Sequence, residues 1–240
     1  MPKNTFTIHP AFAQAKVFAD LTEDELADVA GRFSRRSFSR GENFFIEGSP
    51  ARVFYLIAEG EVKVLQTSAD GFEVILHVLG SGDLIGALPT IGEGTYPATA
   101  QAMSDVTAYG ISSVDFNEIL LRYHVIAVNI IRFATRVIQA SHNKVRELAT
   151  ERVERRIART LIRLANQIGK KVEHGILIDT PLRRKDLAEM TGTTIFTVSR
   201  TLKAWERADI ISVGREQVTI TQPHELIAIG EDLPPESSLR

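Results

Sequence analysis

The pattern of apolar and polar positions changes several times along the chain. Residues 10–31 carry apolar side chains at helical spacing, and Thr22 and Glu25 are placed to form a capping box at the start of a helix. From residue 36 to residue 111, short apolar runs such as Val53-Phe-Tyr-Leu-Ile are separated by glycine-containing turns. Regularly spaced short strands are typical of an antiparallel barrel or jelly roll, so we predict a β-roll after the first helices.

A long helix is predicted over residues 114–149, because glycine and proline are absent from this stretch. Its apolar residues recur in alternating steps of four and three, the spacing of a coiled-coil seam, and a second apolar row runs beside the first. One row is expected to cover the β-roll and the other to meet the same helix of a second subunit in a parallel homodimer. The alternative is a helix buried within one subunit. The predicted dimer interface consists of Leu120, Tyr123, Ala127, Ile130, Ala134 and Val137.

A winged helix-turn-helix is predicted in the last third of the chain, after a hinge near Ala149 and a basic helix over residues 151–167. Gly192 permits a tight turn between two short helices, and Thr193 or Thr194 can cap the second of them. Two short alternating runs around a turn follow the second helix. They predict the wing.

The second helix of this pair has two different faces. Val198, Leu202 and Trp205 recur at helical spacing and predict a buried stripe, while Phe196 and Arg200 lie on the opposite face. An arginine can contact guanine through two hydrogen bonds, and an aromatic ring can touch a thymine methyl group, so we predict that this helix lies in the major groove. The candidate DNA-binding residues are Arg184, Thr193, Thr194, Ile195, Phe196, Thr197, Ser199, Arg200, Lys203 and Arg215.

The distribution of charge favours a polyanionic partner for the C-terminal part. The 240 residues have a net charge of −2, but residues 1–115 hold 8 Lys and Arg against 15 Asp and Glu, whereas residues 150–222 hold 14 against 9. A basic region of this kind suits contacts to phosphates. The last residues are acidic and contain prolines, and we expect them to form a disordered tail.

Composition excludes several classes of site. Cysteine is absent, which removes disulfides, zinc–thiolate sites and cysteine-ligated iron–sulfur clusters. The N-terminus lacks a signal-peptide pattern and no window approaches the length of a membrane span, so we expect a cytoplasmic protein without a membrane partner. A cupin-type metal site needs several histidines and a carboxylate on adjacent strands, but the strand region contains only His77.

The order of elements resembles the CRP/FNR family of bacterial transcription regulators over roughly residues 12–222. The resemblance rests on Gly41-x-x-x-Phe45-x-x-Gly48, Tyr55-x-x-x-x-Gly60-x-Val62-x-Val64, Gly82-Asp83-Leu-Ile-Gly86 and the segment Leu187–Arg200. It implies an α+β fold with an N-terminal antiparallel β-roll of the cyclic-nucleotide-binding type, a long dimerisation helix and a C-terminal winged helix-turn-helix. It also implies a homodimer that binds a palindromic operator in double-stranded DNA and acts with RNA polymerase.

Two departures from the family pattern bear on specificity. The family's recognition helix typically opens with an Arg-Glu pair, which Ile195-Phe196 replaces here, while the arginine four residues after that Glu is kept as Arg200. Cyclic-AMP-binding members have a Gly-Glu after the Gly-Asp-x-x turn and an Arg-Ser further along, whereas this chain has Gly86-Ala87 and Tyr96-Pro97. Without the arginine the cyclic phosphate would be buried unpaired, so we expect an effector other than cyclic AMP.

The remaining effector classes are haem or a gas, a small apolar ligand, and no ligand at all. The run from Tyr96 to Ala102 resembles the nitric-oxide-responsive branch of the family, and a haem would need an axial ligand such as histidine. His124 is the first candidate among His9, His77, His124, His142, His174 and His224. The expected effector pocket consists of Gly86, Ala87, Leu88, Tyr96, Pro97, Tyr123 and His124.

The predicted organisation has four parts. They are a β-roll sensor with its N-terminal helices over residues 1–113, a dimerisation helix and hinge over 114–149, a DNA-binding domain over 150–222 and an acidic tail over 223–240. The predicted function is a dimeric, sequence-specific transcription regulator, not an enzyme, whose β-roll controls how the recognition helices are presented. The alternatives are a signalling or scaffold dimer that does not bind DNA and a cupin-type metalloenzyme.

Overall fold

The computed structural model describes residues 8–68, 71, 73–91, 94–214 and 216–232. These residues form two compact units. The first unit comprises the chain up to residue 66 together with residues 78–140, and the second comprises residues 67–77 together with the chain from residue 141 onwards. Within the described residues, every helix is too short or too polar to cross a membrane.

The first unit begins with short helices. They are α1 (Pro10–Gln14), a 3-10 turn (Lys16–Phe18) and α2 (Glu23–Ala30). The Thr22 hydroxyl oxygen accepts a hydrogen bond from the Glu25 backbone N–H at 3.4 Å, and the Glu25 carboxylate accepts one from the Thr22 N–H at 2.9 Å. This reciprocal pair confirms the predicted capping box at the start of α2.

The β-roll is formed by antiparallel strands. They are β1 (Ser34–Phe38), β2 (Asn43–Phe45), β3 (Val53–Glu59), β4 (Val62–Thr67), β5 (Glu73–Leu79), β6 (Leu84–Ile85), β7 (Thr99–Ala102) and β8 (Val106–Ser112), with helix α3 (Ala87–Ile91) between β6 and β7. Two four-stranded sheets result, in the orders β1-β8-β3-β6 and β2-β7-β4-β5. The predicted β-roll is thus confirmed.

Side chains that alternate along the strands build two buried clusters. Phe54 and Leu56 face the first helices, whereas Ile57 packs with residues of β2, β4 and β7. Gly60 turns the chain between β3 and β4 with φ +85°, and a Cβ at this position would lie 2.4 Å from the Asp105 carbonyl oxygen. The turn at Gly60 therefore requires glycine.

The predicted long helix is two helices. α4 (Ser113–Arg122) ends at Tyr123, which has φ −119° and ψ 79°, and α5 (His124–Thr150) follows at once. The Tyr123 hydroxyl donates a hydrogen bond to the Asp28 carboxylate at 2.9 Å. A continuous seam from residue 116 to 137, as predicted, is therefore interrupted at Tyr123.

The second unit contains the C-terminal elements. They are α6 (Val153–Ile168), β9 (Gly169–Val172), β10 (Gly175–Ile178), α7 (Arg184–Thr191), α8 (Ile195–Arg207), β11 (Ile211–Val213), β12 (Val218–Ile220) and α9 (Pro223–Glu231). The strands form one antiparallel sheet in the order β11-β12-β10-β9. The pair β11–β12 is the predicted wing.

Helix α9 corrects the tail predicted over residues 223–240, because residues 223–231 form a helix. Leu226 is fully buried, and the Gly230 carbonyl oxygen accepts hydrogen bonds from the guanidinium groups of Arg155 and Arg159, both at 2.8 Å. Burial of apolar surface and two charged donors at the helix end together hold this segment on α6, despite its acidic surroundings. Residues 233–240 of the predicted tail lie outside the described residues.

Candidate functional site

Helix α8 begins at the predicted turn. Gly192 ends α7 in the left-handed conformation, with φ 59° and ψ 47°. Thr194 is the N-cap of α8, since its hydroxyl oxygen accepts a hydrogen bond from the Thr197 backbone N–H at 3.2 Å. The two hydroxyl oxygens of Thr194 and Thr197 lie 3.0 Å apart. Thr194, rather than Thr193, is therefore the cap.

One face of α8 is buried as predicted. Val198, Leu202 and Trp205 are almost completely inaccessible, and Thr201 lies among them. This face packs against α7 and β11, which leaves the other side of α8 open. The helix is therefore anchored along its full length by a stripe of the second unit's core.

The opposite face of α8 exposes an unusual combination of side chains. Phe196 is 75% exposed and Ile195 is 50% exposed, and Arg200 and Lys203 are exposed beside them. Water-exposed aromatic surface next to cations is typical of a binding surface. We call the exposed set Ile195, Phe196, Arg200 and Lys203 the reading face.

The other candidate DNA-binding residues surround the reading face or lie apart from it. Thr194 is exposed at the helix start, and Thr197 and Ser199 are half-buried along α8. Thr193 is half-buried in the turn. Arg184 is exposed at the first residue of α7. Arg215 lies outside the described residues.

Two cations hold the turn that precedes α8. The Arg156 guanidinium donates to the Thr191 carbonyl oxygen at 2.9 Å and to the Gly192 carbonyl oxygen at 3.4 Å, and the Lys144 ammonium donates to the Met190 carbonyl oxygen. These oxygens lie at the C-terminal end of α7, where the helix dipole is negative. No sequence pattern indicated either cation, because their partners are backbone atoms.

Lys144 belongs to a cluster of ionisable groups in the second unit. Burial and the nearby charge of Arg163 lower the pKa of Lys144 to about 8, against the opposing effect of Glu147. Burial also lowers the pKa of His77, and the charges of Lys144 and Arg163 add to that effect. Glu147 is buried and accepts a hydrogen bond from Arg163 at 2.7 Å. The cluster therefore makes His77 and Lys144 lose a proton at lower pH than they would in water, although Lys144 is still mainly charged at neutral pH.

The predicted effector-pocket residues divide between two places, the first of which is centred on Tyr96. The buried Tyr96 ring stacks on Phe45. Its hydroxyl accepts a hydrogen bond from the Val53 N–H at 3.2 Å and donates one to the Val53 carbonyl oxygen. A Cβ on Gly86 would lie 3.0 Å from atoms of both rings. The side chain at the position of the family's phosphate-binding arginine is thus engaged with its own subunit.

The remaining pocket candidates lie elsewhere in the first unit. Leu88 and Tyr123 pack at the margin of the cluster formed by the first helices and β3, and Ala87 is buried. Pro97 is exposed, and His124 is exposed at the first residue of α5. Tyr96 and Tyr123 therefore have separate sets of partners.

The position of Tyr96 differs in its chemistry from the corresponding position of cyclic-AMP-binding members. A cyclic phosphate needs a positively charged donor, and the position that supplies it in cyclic-AMP-binding members holds a neutral, hydrogen-bonded phenol here. In the described parts of the chain, three or more His, Asp or Glu side chains do not come together in a group that could hold a metal ion. Of the haem candidates, His9 instead caps α1 through its ring nitrogen.

The residues of the predicted dimer interface are mostly covered by their own subunit. Ile130 is only 8% exposed and belongs with Ile126 to the core of the first unit, and Leu120 and Tyr123 pack against the same cluster. Ala127, Ala134 and Val137 are half-buried. The predicted row therefore faces mainly its own subunit, because α5 turns its Ile126 and Ile130 side towards the first helices.

A different row of α5 is exposed. We call it the exposed seam: it consists of Val128, Ile131, Thr135, Ile138, His142 and Val145. These residues follow one another in alternating steps of three and four, and Ile131 and Val145 are each 67% exposed. This spacing is that of a coiled-coil contact. The sequence contained the row, but its period did not show which row faces the subunit's own core.

Comparison with known proteins agrees with this architecture. The model of the cyclic nucleotide-binding domain matches residues 35–123, and that of the Crp-like helix-turn-helix domain matches residues 155–229. The cAMP-activated global transcriptional regulator CRP of Salmonella typhimurium is 30% identical over 175 residues, which cover 72% of this chain and 83% of that protein. The cyclic AMP receptor protein of Thermus thermophilus is 27% identical over 207 residues, or 86% and 92% of the two chains.

Solved structures show the same arrangement of elements. FixK2 from Bradyrhizobium japonicum superposes with a TM-score of 0.74 at 19% identity, covering 82% of this chain and 96% of that one, which shows the shared fold. A CRP-family transcriptional regulator from Thermus thermophilus gives a TM-score of 0.69 at 26% identity, covering 82% and 97%. The Salmonella relative and this Thermus protein are both named as transcriptional regulators. The chain therefore belongs to the CRP/FNR family of DNA-binding transcription regulators, and it joins a β-roll of the cyclic-nucleotide-binding type to a helix-turn-helix domain.

Proposed function

We propose that the protein is a homodimer that reads a two-fold symmetric DNA site with one α8 helix per subunit, under the control of an effector other than a cyclic nucleotide. The reading face of α8 carries this proposal. Phe196 and Ile195 leave apolar surface in water beside two cations, and a major groove offers thymine methyl groups, guanine acceptors and phosphates to such a face.

The side chains of the reading face suit different parts of the groove. Arg200 can bind guanine through two hydrogen bonds, and Phe196 can cover a thymine methyl group. Lys203 lies further along the same helix and suits a phosphate, which fixes position without reading sequence. Since Ile195-Phe196 replaces the family's polar pair, the half-site is expected to contain thymines next to the guanine read by Arg200.

The exposed seam supports a parallel dimer. Its four large aliphatic side chains, Val128, Ile131, Ile138 and Val145, stand exposed on one face of α5. Complete burial of each such side chain contributes about 1.5–3 kcal/mol, and a dimer buries both copies. The sum is comparable with the roughly 4–15 kcal/mol that association costs in lost freedom of motion. Thr135 and His142 are the polar members of the seam.

The effector is proposed to be something other than cyclic AMP. The Salmonella relative is named as cAMP-activated, but Tyr96 and Ala87 stand where cyclic-AMP-binding members have their arginine and glutamate. A haem-bound gas and a small apolar ligand remain as effector classes. The absorption spectrum of protein purified with haem present separates them, because haem gives a strong Soret band that shifts on binding nitric oxide.

The proposed partners, promoter DNA and RNA polymerase, determine where the protein acts. A dimer of this kind would act in the cytoplasm, where it meets promoter DNA, and would contact RNA polymerase from its promoter site. Effector binding can shift the presentation of the α8 helices only by its difference in affinity for the two arrangements.

Selection of binding sites from a pool of random duplexes tests the proposal. We expect enriched sequences with two inverted half-sites whose centres lie about one helical turn, roughly 10 base pairs, apart. Analytical ultracentrifugation should find two chains on each duplex. The double variant Phe196→Ala/Arg200→Ala, which alters exposed side chains only, should keep the fold and lose the enrichment. An enriched site without two-fold symmetry, or one chain per duplex, would overturn the proposal.

A further inference from the structure

The last ten residues of α5, 141–150, belong to the second unit, which also contains the helix-turn-helix. The Lys144 ammonium donates to the Met190 carbonyl oxygen in the last turn of α7. Leu148 follows Lys144 by one helical turn of α5. It packs against the connection between α7 and α8, since a Cβ built on Gly192 would lie 2.9 Å from the Leu148 side chain. Contacts from α5 therefore reach past the predicted hinge near Ala149 to the turn that precedes the recognition helix.

A second contact joins this part of α5 to α6. Glu147 is buried and accepts a hydrogen bond from Arg163 at 2.7 Å. Charge-assisted hydrogen bonds between partly buried groups hold their geometry better than exposed ion pairs do. We call Lys144, Glu147 and Leu148, with their partners, the clasp.

Lys144 is not an ordinary surface lysine. It is half-buried, and burial together with the charge of Arg163 lowers its pKa to about 8. Charged lysines are rarely held in such surroundings unless their donors are used. The carbonyl groups in the last turn of a helix lack intrahelical donors. In α7, Lys144 donates a hydrogen bond to one of these carbonyl groups, that of Met190.

The residue next to Lys144 points the other way. Val145 is the last large aliphatic residue of the exposed seam and is 67% exposed. The same turn of α5 therefore carries the end of the dimer contact on one side and the clasp on the other. In a parallel dimer, the pair of Val145 residues fixes α5 beside the two-fold axis, and the clasp fixes the helix-turn-helix (α7 and α8) on α5.

We propose that Lys144 is a positioning residue that sets the distance between the two recognition helices, and thereby the half-site spacing that the dimer accepts. This inference rests on the proposed function. Lys144 acts through the Met190 carbonyl oxygen and need not touch DNA. Its loss would leave the reading face intact, because the buried face of α8 and the bonds from Arg156 remain. Loss of Lys144 would, however, allow the helix-turn-helix to shift relative to the two-fold axis.

The test uses duplexes with identical half-sites whose centres are moved closer together or further apart by one base pair. The full-length protein is titrated with each duplex, and affinity is measured by fluorescence anisotropy. Lys144→Met keeps the aliphatic stem but removes the charge and the donor. Since a hydrogen bond to a charged group is worth at least about tenfold, we expect the preference of the wild type for its best spacing to fall about tenfold.

Two further variants make the result specific. Lys171→Met removes the same charge from an exposed position on β9 of the same unit and should leave the spacing preference unchanged. Leu148→Ala shortens a side chain in the neighbouring contact of the clasp and should also flatten the spacing preference. It replaces Lys144→Met in the test if Lys144→Met does not fold.

The outcomes are distinguishable. A flattened spacing profile for Lys144→Met, with the profile of Lys171→Met kept, supports the inference. A profile of folded Lys144→Met that is unchanged, or an equal loss of affinity at every spacing, would overturn it while the proposed function stands. If Lys144→Met does not fold, the profile of Leu148→Ala is judged by the same two criteria. A wild-type protein that binds no symmetric duplex would overturn the proposed function, and the inference with it.

Discussion

Tyr96 lies flat against Phe45, with 3.7 Å between the ring centroids and 6° between the ring planes. Both rings close on Gly86, and the Tyr96 hydroxyl is bound to the backbone of Val53. The sequence has no arginine at this position. The structure adds that the replacement is built into the β-roll as part of its packing, which joins β2, β3 and the segment before β7.

Cyclic AMP should therefore bind this protein at least 100-fold more weakly than it binds the Salmonella relative. A hydrogen bond to a charged group contributes about 1.5–3 kcal/mol, and burying the phosphate without one adds a desolvation cost. Isothermal titration calorimetry on both proteins in the same buffer measures the difference. Saturable binding of cyclic AMP to this chain with an affinity like that of the relative would contradict the interpretation of Tyr96.

Neighbouring positions on α5 should behave differently when glutamate is introduced. Ile131→Glu places like charges in the exposed seam, so we expect folded monomers. Ile130→Glu buries an unpaired charge in the first unit's core and should lower the free energy of unfolding by several kcal/mol. Ala140→Glu adds the same charge at an exposed position off the seam and is the matched control.

Sedimentation equilibrium and urea unfolding separate these effects. Ala140→Glu should remain a dimer of wild-type stability. If Ile131→Glu stayed dimeric while Ile130→Glu gave folded monomers, the contact would follow the row predicted from the sequence rather than the exposed seam.

Lys203 and Phe196 should contribute to DNA binding in different ways. Lys203→Ala should weaken binding to all duplexes alike and make the salt dependence less steep, by about one released counterion per subunit. Phe196→Ala should leave the salt dependence unchanged and weaken binding only to the preferred site. Anisotropy titrations from low to moderate salt distinguish the two, and a reduced salt slope for Phe196→Ala would assign that residue to the backbone instead.

The stability of the second unit should depend on pH through Lys144. Its pKa is lowered from 10.5 to about 8 in the folded chain, so between these values the unfolded chain binds a proton that the folded chain does not. Stability then rises with pH in this window. The free energy of unfolding of the wild type relative to Lys144→Met should increase from pH 8 to pH 10, by an amount on the order of 1 kcal/mol after allowance for partial solvent screening.

Urea titrations of both proteins at each pH measure this difference, in which the other lysines cancel. Near pH 7 Lys144 is charged in both states, so its own contribution is constant there; at lower pH the difference also includes His77, whose pKa is lowered by burial and by the charge of Lys144. A difference that stayed constant up to pH 10 would mean that Lys144 keeps its proton in the folded chain.

The parts of the fold that could be predicted are those with local signals. Thr22 and Glu25 form a capping box within four residues, Gly192 makes its turn alone, and Val198 and Leu202 mark a buried face by their spacing. Each signal lies within one element, where backbone geometry relates spacing to direction. The spacing of apolar residues was therefore enough to predict which side of α8 is exposed.

The parts that could not be predicted depend on tertiary packing. Ile130 and Ile131 are adjacent and equally apolar, and only the break at Tyr123 and the packing of the first helices decide which one is buried. Helix α9 was not predicted, because the acidic residues around it indicated a disordered tail. Its Leu226 is fully buried. Lys144 had no signal because its partner is a backbone oxygen 46 positions along the chain.

Repeating the site selection from random duplexes with Arg200→Ala tests the central claim most directly. If each subunit of a dimer reads one half-site with α8, the consensus should lose its preference at two base pairs placed symmetrically about the centre. Affinity for the wild-type site should fall by about 1–3 kcal/mol per half-site contact, and the other positions should keep their preference. A consensus identical to that of the wild type, or a loss on one side of the centre only, would contradict the account.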